Sequence, residues 1–362
     1  MEHSKPVLIM GGSGQTGAET AALLRRWYPT LPLTIAGRDL DRARRVADGL
    51  GAATAVTIDL RRSDLGLRDP DLPDPGLPDS NLPDPGLSVP GLPAGHGYSA
   101  VVATVWDKHL NGLRYAQDRG LPYLSLSSGL TDIAPEVVAG GQRAGAAPIL
   151  LASHWYAGVI VLAALDLARE FGRVDTVRVS GVLDELDVGG PAATEDMQRL
   201  TTSTSAGLVR RDGVFGWVSG PDAQTEVSSV DGTVLPGQIM PTLDVPSLAL
   251  ATGAPNVSFE FAVGESASRR RGEPASAEVR IDLEGEDRTG APLGTSRYLL
   301  HPAGQNPLTA LGVALGVERL LGLRGEAVAP GIHTPEALID PAYAVERMAE
   351  IGATFVDARD DR

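Results

Sequence analysis

Short apolar runs alternate with amphipathic stretches through the first 60 residues of the chain. Val7 to Met10, Leu33 to Ala36 and Ala55 to Ile58 read as short buried strands, and Ala18 to Trp27 and Leu40 to Leu50 carry helical periodicity, which together make a βαβαβ unit. The alternation resumes with a strand at Ala100 to Val105, a helix at about His109 to Arg119, strands at Pro122 to Leu126 and Ile149 to Ala152, and a helix from Trp155 to Phe171. Beyond Val174 the period changes to two. In Ala277 to Glu284 the residues Val279, Ile281 and Leu283 share one face and Glu278, Arg280, Asp282 and Glu284 the other, which predicts a sheet with one solvated face. Asp212-Gly213 and Asp231-Gly232 are hairpin turns. Asn306-Pro307 opens a helix that runs to Leu321, Thr334-Pro335 and Asp340-Pro341 open two short ones, and Thr354 to Val356 is a last strand. The expected fold class is α/β: a Rossmann doubly wound parallel sheet from residues 1–154 and 303–362, with a second α+β domain on an antiparallel sheet at 155–302 for substrate binding and dimerisation.

One segment breaks the pattern. Leucines at 67, 72, 77, 82, 87 and 92 open five-residue units of the Leu-Pro-Asp-Pro-Gly type, and eight prolines between Pro70 and Pro93 remove the amide donors that a β-solenoid needs. Residues 64–97 are therefore expected to form an extended acidic loop without a catalytic role.

Composition narrows the chemistry. A chain of 362 residues, 43% hydrophobic, can bury two cores, and a formal charge of -15 argues against binding nucleic acid or an anionic membrane. The absence of cysteine removes disulfides, thiolate nucleophiles and Cys-ligated metals, and no His or carboxylate cluster has metal-ligand spacing. Val7 to Met10 is too short for a signal-peptide core, so a cytoplasmic location is expected. Ala144 to Leu165 is long and apolar, but Pro148, Ser153, His154 and Gly158 interrupt it, and a buried strand followed by a core helix gives the same hydropathy without lipid.

Gly12-Ser13-Gly14-Gln15-Thr16-Gly17 fits G-x-G-x-x-G between a strand and a helix, the context in which that motif binds a dinucleotide. Gly12 is expected in the tight turn, Gly14 against the pyrophosphate and Gly17 where helix and strand pack closely. About 20 residues on, where NAD-binding chains present an acid to the ribose, the second strand ends Gly37-Arg38, and an arginine there favours NADP(H) by clamping a 2′-phosphate. Asp59, at the end of the third strand, is a candidate adenine contact or a strand-end turn residue. Catalytic groups belong at the carboxyl ends of the remaining strands. These present Thr104, Val105, Trp106, Lys108 and His109, then Ser127, then His154, Trp155 and Tyr156. Thr104, Val105 and Ser127 are expected against the cofactor, and His154, Tyr156 and Lys108 as the proton donor or orienting groups that reduction requires. Trp106 and Trp155 would make the pocket broad and apolar.

The chain resembles the saccharopine dehydrogenase-like reductases. The likeness is carried by the run Ile9 to Gly17 with Ala36-Gly37-Arg38-Asp39, by the run Asp244-Val245-Pro246-Ser247-Leu248 through Val257, and by Gly331-Ile332-His333-Thr334-Pro335-Glu336 with Asp340-Pro341. The resemblance implies an NADP-dependent oxidoreductase that forms a homodimer through its second domain. The family's Asn-Ala-Ala-Gly-Pro, Tyr-x-Asp and Pro-Gly patterns are replaced by Ala103-Thr104-Val105-Trp106, Tyr123-Leu124-Ser125 and Ala157-Gly158, so its amino-acid substrates are not carried across. The expectation is hydride transfer from NADPH to a C=O, C=N or C=C bond of a moderately large apolar metabolite, in a biosynthetic pathway. Two alternatives remain: an amino-acid dehydrogenase acting on C–N bonds, which needs arginines converging on carboxylates, and a redox-silent NADP-binding regulator.

Overall fold

Seven short strands, the five inner ones fully buried, form the first sheet of the computed structural model, which describes residues 5–67, 97–126, 130–187 and 189–358. Almost all of the five-residue repeat, and Ser127, lie outside the described residues. In chain order the first half runs β1 (Val7–Met10), α1 (Gln15–Trp27), β2 (Leu33–Gly37), α2 (Leu40–Leu50), β3 (Ala53–Thr57), β4 (Ala100–Ala103), α3 (Asn111–Asp118), β5 (Tyr123–Ser125), α4 (Ala134–Gln142), β6 (Pro148–Leu151) and α5 (Val159–Ala168). The second half runs β7 (Phe171–Asp184), α6 (Pro191–Ser203), β8 (Gly207–Arg211), β9 (Val214–Val218), β10 (Gln224–Ser228), β11 (Val234–Ile239), α7 (Asp244–Thr252) and β12 (Asn256–Gly264). It closes with α8 (Ala267–Arg270), β13 (Ala277–Asp287), β14 (Pro292–His301), α9 (Asn306–Leu320), β15 (Gly331–His333), α10 (Pro335–Leu338), α11 (Pro341–Glu350) and β16 (Thr354–Asp357).

The first sheet is wholly parallel in the order β15-β6-β5-β4-β1-β2-β3, so the strand order reverses between β1 and β4. In such a sheet the crevice at the reversal is where a ligand binds. The second sheet follows β10-β11-β12-β7-β13-β14-β16, with β8 added on β12 and β9 on β8. It is mixed: β7 and β12 pair in parallel, while its other pairs are antiparallel.

A single hydrophobic core reaches from Val7 and Ile9 in the first sheet to Val179, Phe259 and Ile281 in the second. Helix α5 joins them; its sequence VIVLAALDLA is apolar nearly all round, as a helix covered on every side requires. Helix α9 lies against the first sheet so closely that a Cβ on Gly316 would stand 2.6 Å from Leu124 Cδ1 and 2.7 Å from Leu150 Cδ2.

Several local expectations need correction. The helix expected from Trp155 begins at Val159, because Tyr156, Ala157 and Gly158 adopt φ of 51, 54 and 89° and form a left-handed turn first. Glu278 is buried, not solvated: Ser229 Oγ donates to Oε2 at 2.5 Å and the Ala267 N–H to Oε1 at 2.5 Å. Of the tail, β15 joins the first sheet beside β6, but β16 pairs with β14 in the second. Helix α11 packs across α5 and so delivers the chain to that side. The Asp212-Gly213 turn joins β8 to β9, with φ of 50 and 82°, and Asp231-Gly232 lies between β10 and β11.

Candidate active site

The loop after β1 turns back under the end of β2. Gly11 N–H and Gly12 N–H both donate to Ala36 O, at 2.9 and 3.1 Å, and Gly14 N–H donates to Gly11 O at 2.8 Å. The left-handed residue of this turn is Gly11 (φ 79°) and not Gly12, whose Cβ would instead strike Ile9 O at 2.8 Å. Gly17 holds the place expected of it, since a Cβ there would lie 2.5 Å from Gly11 O. Helix α1 follows Gly14, which offers no side-chain cap, and has no acid in its first turn, so its first N–H groups and positive dipole end are left for an anion. The residues therefore fit a dinucleotide pyrophosphate.

A cleft of about 940 Å³ opens from this loop along the carboxyl ends of the strands. Of the residues expected at the site, Ser13, Gly14, Gln15, Thr16, Gly17, Gly37, Arg38, Asp59, Thr104, Val105, Lys108, His154 and Tyr156 all line it. Gly12 does not; it packs beneath the loop, and Ser127 is outside the described residues. On the β2 side Arg38 is exposed and makes no hydrogen bond or ion pair among the described residues. Its neighbour Asp39 is engaged as the cap of α2, accepting from Arg42 N–H at 3.0 Å. Asp59 is gripped at both oxygens by Arg61, each at 2.9 Å, and those hydrogen bonds hold its carboxyl below the usual range.

On the other side of the reversal Thr104 Oγ1 donates to Met10 O at 2.9 Å, and Val105 abuts Gly11. Lys108 and His109 are exposed at the rim. His154 is buried; its Nε2 is 2.8 Å from Ser247 Oγ, and burial brings its pKa down to about 4, so the ring is neutral at pH 7 and is not a ready acid. Burial pushes the Tyr156 hydroxyl well up, with the Trp155 side chain opposing and Asp187 and Glu278 adding to the rise, so it keeps its proton. The left-handed turn that presents Tyr156 is clamped from outside. A Cβ on Gly312 of α9 would meet Ala157 O at 2.6 Å, and one on Gly158 would meet Pro335 Cγ at 2.5 Å. Behind this wall Asp244 is fully buried, accepts from Trp155 N–H at 3.0 Å, and is raised by burial to about 7.

The far wall comes from the second half of the chain. Gly189 to Ala193 at the start of α6, and Gln305 and Asn306 at the start of α9, line the cleft, and neither helix has a side-chain cap. The Arg199 guanidinium of α6 stacks on Trp106 at 3.7 Å, closing the wall onto the β4 end. Among the described residues no group of three His, Asp or Glu is placed to hold a metal, and no helix is long and apolar enough to cross a membrane.

No protein-family model matches this sequence, and no curated protein does. Among solved structures, saccharopine dehydrogenase (L-Glu forming) from Saccharomyces cerevisiae aligns over 98% of this chain and 100% of its own, with a TM-score of 0.61 at 12% identity. The fold is saccharopine dehydrogenase-like. A myo-inositol dehydrogenase from Corynebacterium glutamicum aligns over 98% and 99% of the two chains with a TM-score of 0.46 at 13% identity.

In this saccharopine dehydrogenase-like frame some lining residues escaped the sequence. Arg42, in the first turn of α2 and four residues after Arg38, was within reach of a spacing argument. Pro241, Thr242 and the Gly189-Gly190-Pro191 approach to α6 had no local signal, because they reach the cleft only when the second sheet docks.

Proposed function

We propose that this chain is an NADP(H)-dependent oxidoreductase that reduces a C=O, C=N or C=C bond of an apolar metabolite. What supports it above all is one continuous cleft that joins an uncapped, glycine-built helix N-terminus, and an Arg38 with no partner among the described residues, to a buried Tyr156. Gly14 to Gly17 would hold the pyrophosphate and Arg38 the 2′-phosphate, and the bound cofactor supplies the hydride. The chain's own part is to hold the substrate against that cofactor, keep water out, and deliver a proton. Tyr156 Oη is the protonated group at the inner end and the Lys108 ammonium the one at the rim. His154, neutral, orients through a hydrogen bond.

An amino-acid dehydrogenase would need arginines converging on its substrate's carboxylates. The lining arginines, Arg38, Arg42 and Arg61, instead follow β2 and β3 on the adenosine side. Calorimetric titration with NADPH and NADH tests the cofactor, with NADPH expected to bind at least about tenfold tighter. Failure of both to bind removes the proposal. Once a substrate is in hand, Tyr156→Phe, His154→Ala and Lys108→Ala test the proton path: the donor's loss lowers turnover by about 100-fold with NADPH affinity intact. Near-normal turnover in all three rejects the assignment.

A further inference from the structure

We propose that α6 is a lid over the substrate end of the cleft, latched shut where Arg199 stacks on Trp106 and pairs with Asp132. The inference rests on the reductase reading of the same cleft. The chain leaves the second sheet after β7 and rejoins it at β8, and between the two α6 reaches over to the end of the first sheet. Ala193, Asp196 and Met197 of α6 line the cleft together with Trp106. Yet the helix is lightly anchored. None of its described side chains is buried, and Met197 meets the hydrophobic core while itself only half-buried. Among the described residues no other helix or strand lies closely along it. Helix α9, whose start lines the same wall, is by contrast buried over most of its length. An element with so few buried apolar contacts detaches locally at a small part of the cost of global unfolding.

The Arg199 side chain reaches from α6 to the first sheet. Its guanidinium lies 3.7 Å over the Trp106 ring, and Nε pairs with Asp132 Oδ2 at 3.4 Å. Trp106 follows β4 and Asp132 precedes α4, so both partners belong to the first half of the chain. Asp196, three residues back on α6, also accepts from the guanidinium and keeps it aimed. The side chains of Arg199 and Asp132 remain 19% and 21% exposed, so water competes for the contact. A half-wet stack and ion pair shift an equilibrium by about tenfold and not by thousands, which favours the closed state and leaves the open one within reach. Gly189 and Gly190 lead into α6, where a change of backbone direction meets no side chain, and Thr204 leaves it in an extended conformation. Opening admits a bulky apolar body to Trp106 and Tyr156; closure keeps water from the hydride and proton transfers.

The test uses the full-length protein, which has no cysteine of its own, so that introduced cysteines carry the only labels. Spin labels go on Thr194→Cys, exposed on α6, and Val138→Cys, exposed on α4. Pulsed electron double resonance should give a main distance and a minor, longer one. Arg199→Ala should raise the ratio of longer to main about tenfold, and Arg199→Lys, which keeps the charge and loses the planar stack, about threefold. Asp132→Asn lies outside α6 and cannot melt it; it should act in the same direction, also about threefold. In a separate protein, a lone Met197→Cys should react with N-ethylmaleimide about tenfold faster once Arg199→Ala is added. One distance shared by every variant overturns the inference, as does an unchanged reaction rate, or a change in Arg199→Ala that Asp132→Asn does not share. NADPH affinity should stay within about twofold in Arg199→Ala, and a tenfold loss would put the latch on the cofactor and overturn the substrate-end assignment. If NADPH binds none of these proteins while Arg199→Ala still lengthens the distance, the reductase reading falls and the lid stands. If NADPH binds and α6 never moves, only the lid falls.

Discussion

Replacing Arg38 by alanine removes a charged fork from the mouth of the cleft while leaving the backbone beneath it held. Gly37 packs under Ser13, where a Cβ would come 2.8 Å from Oγ, and Asp39 caps α2. The fold should therefore survive and any loss be read as binding. A hydrogen bond to a charged group contributes about 1.5 to 3 kcal/mol, and at an exposed arginine the lower end applies, so NADPH should weaken by about tenfold. NADH has no 2′-phosphate and should change by less than about twofold. Arg42, in the first turn of α2, lines the same cleft, so the double variant should lose about a hundredfold, whereas Arg61 is already occupied by Asp59. Calorimetry across a salt series measures all of this, with NADPH affinity falling more steeply than NADH because the exposed phosphate contacts are screened. Equal weakening of both cofactors by Arg38→Ala, or tighter binding of NADH by the unaltered protein, would refute the assignment.

Three other outcomes are expected. Gly158→Ala places a Cβ 2.5 Å from Pro335 Cγ at a φ of 89°, and should destabilise by about 2 to 4 kcal/mol in urea denaturation; an unchanged midpoint would mean that the left-handed turn is not clamped. Glu136 is 4% exposed and raised by burial from 4.5 to about 7, so between those values the native state holds a proton that the unfolded chain releases. Its contribution is full below pH 4.5 and is lost as pH rises through 7. Glu136→Gln should thus gain about 2 kcal/mol on the parent between pH 5 and pH 8, and parallel pH curves would contradict that. The exposed Val214, Phe215 and Trp217 of the β8–β9 hairpin are proposed as part of a homodimer contact; sedimentation equilibrium should give a dimer that Trp217→Asp weakens, and a monomeric parent protein rules it out.

The glycine-rich turn, the strands around it and Arg38 at the end of β2 were legible because they depend on neighbours within a few residues. A glycine forced by a turn and an apolar strand buried on both faces leave their mark directly in the sequence. The period-two pattern of β13 likewise gave its buried face, but it could not tell that Glu278 on the other face would be covered by Ser229 and Ala267. Strand backbones all offer the same donors and acceptors, so nothing local assigned β16 to the second sheet or made β7 and β12 parallel. Helix patterning from Trp155 onward concealed a left-handed turn that holds only because α9 and Pro335 press on it. Tertiary packing also turned His154 from a prospective acid into a neutral, buried ring bonded to Ser247, since its pKa answers to burial, opposed in part by Glu336, and not to its sequence neighbours. What the sequence determined was the glycine-built turn and the uncapped helix start at one end of the cleft; what lines its far wall was decided by the docking of the second sheet on the first.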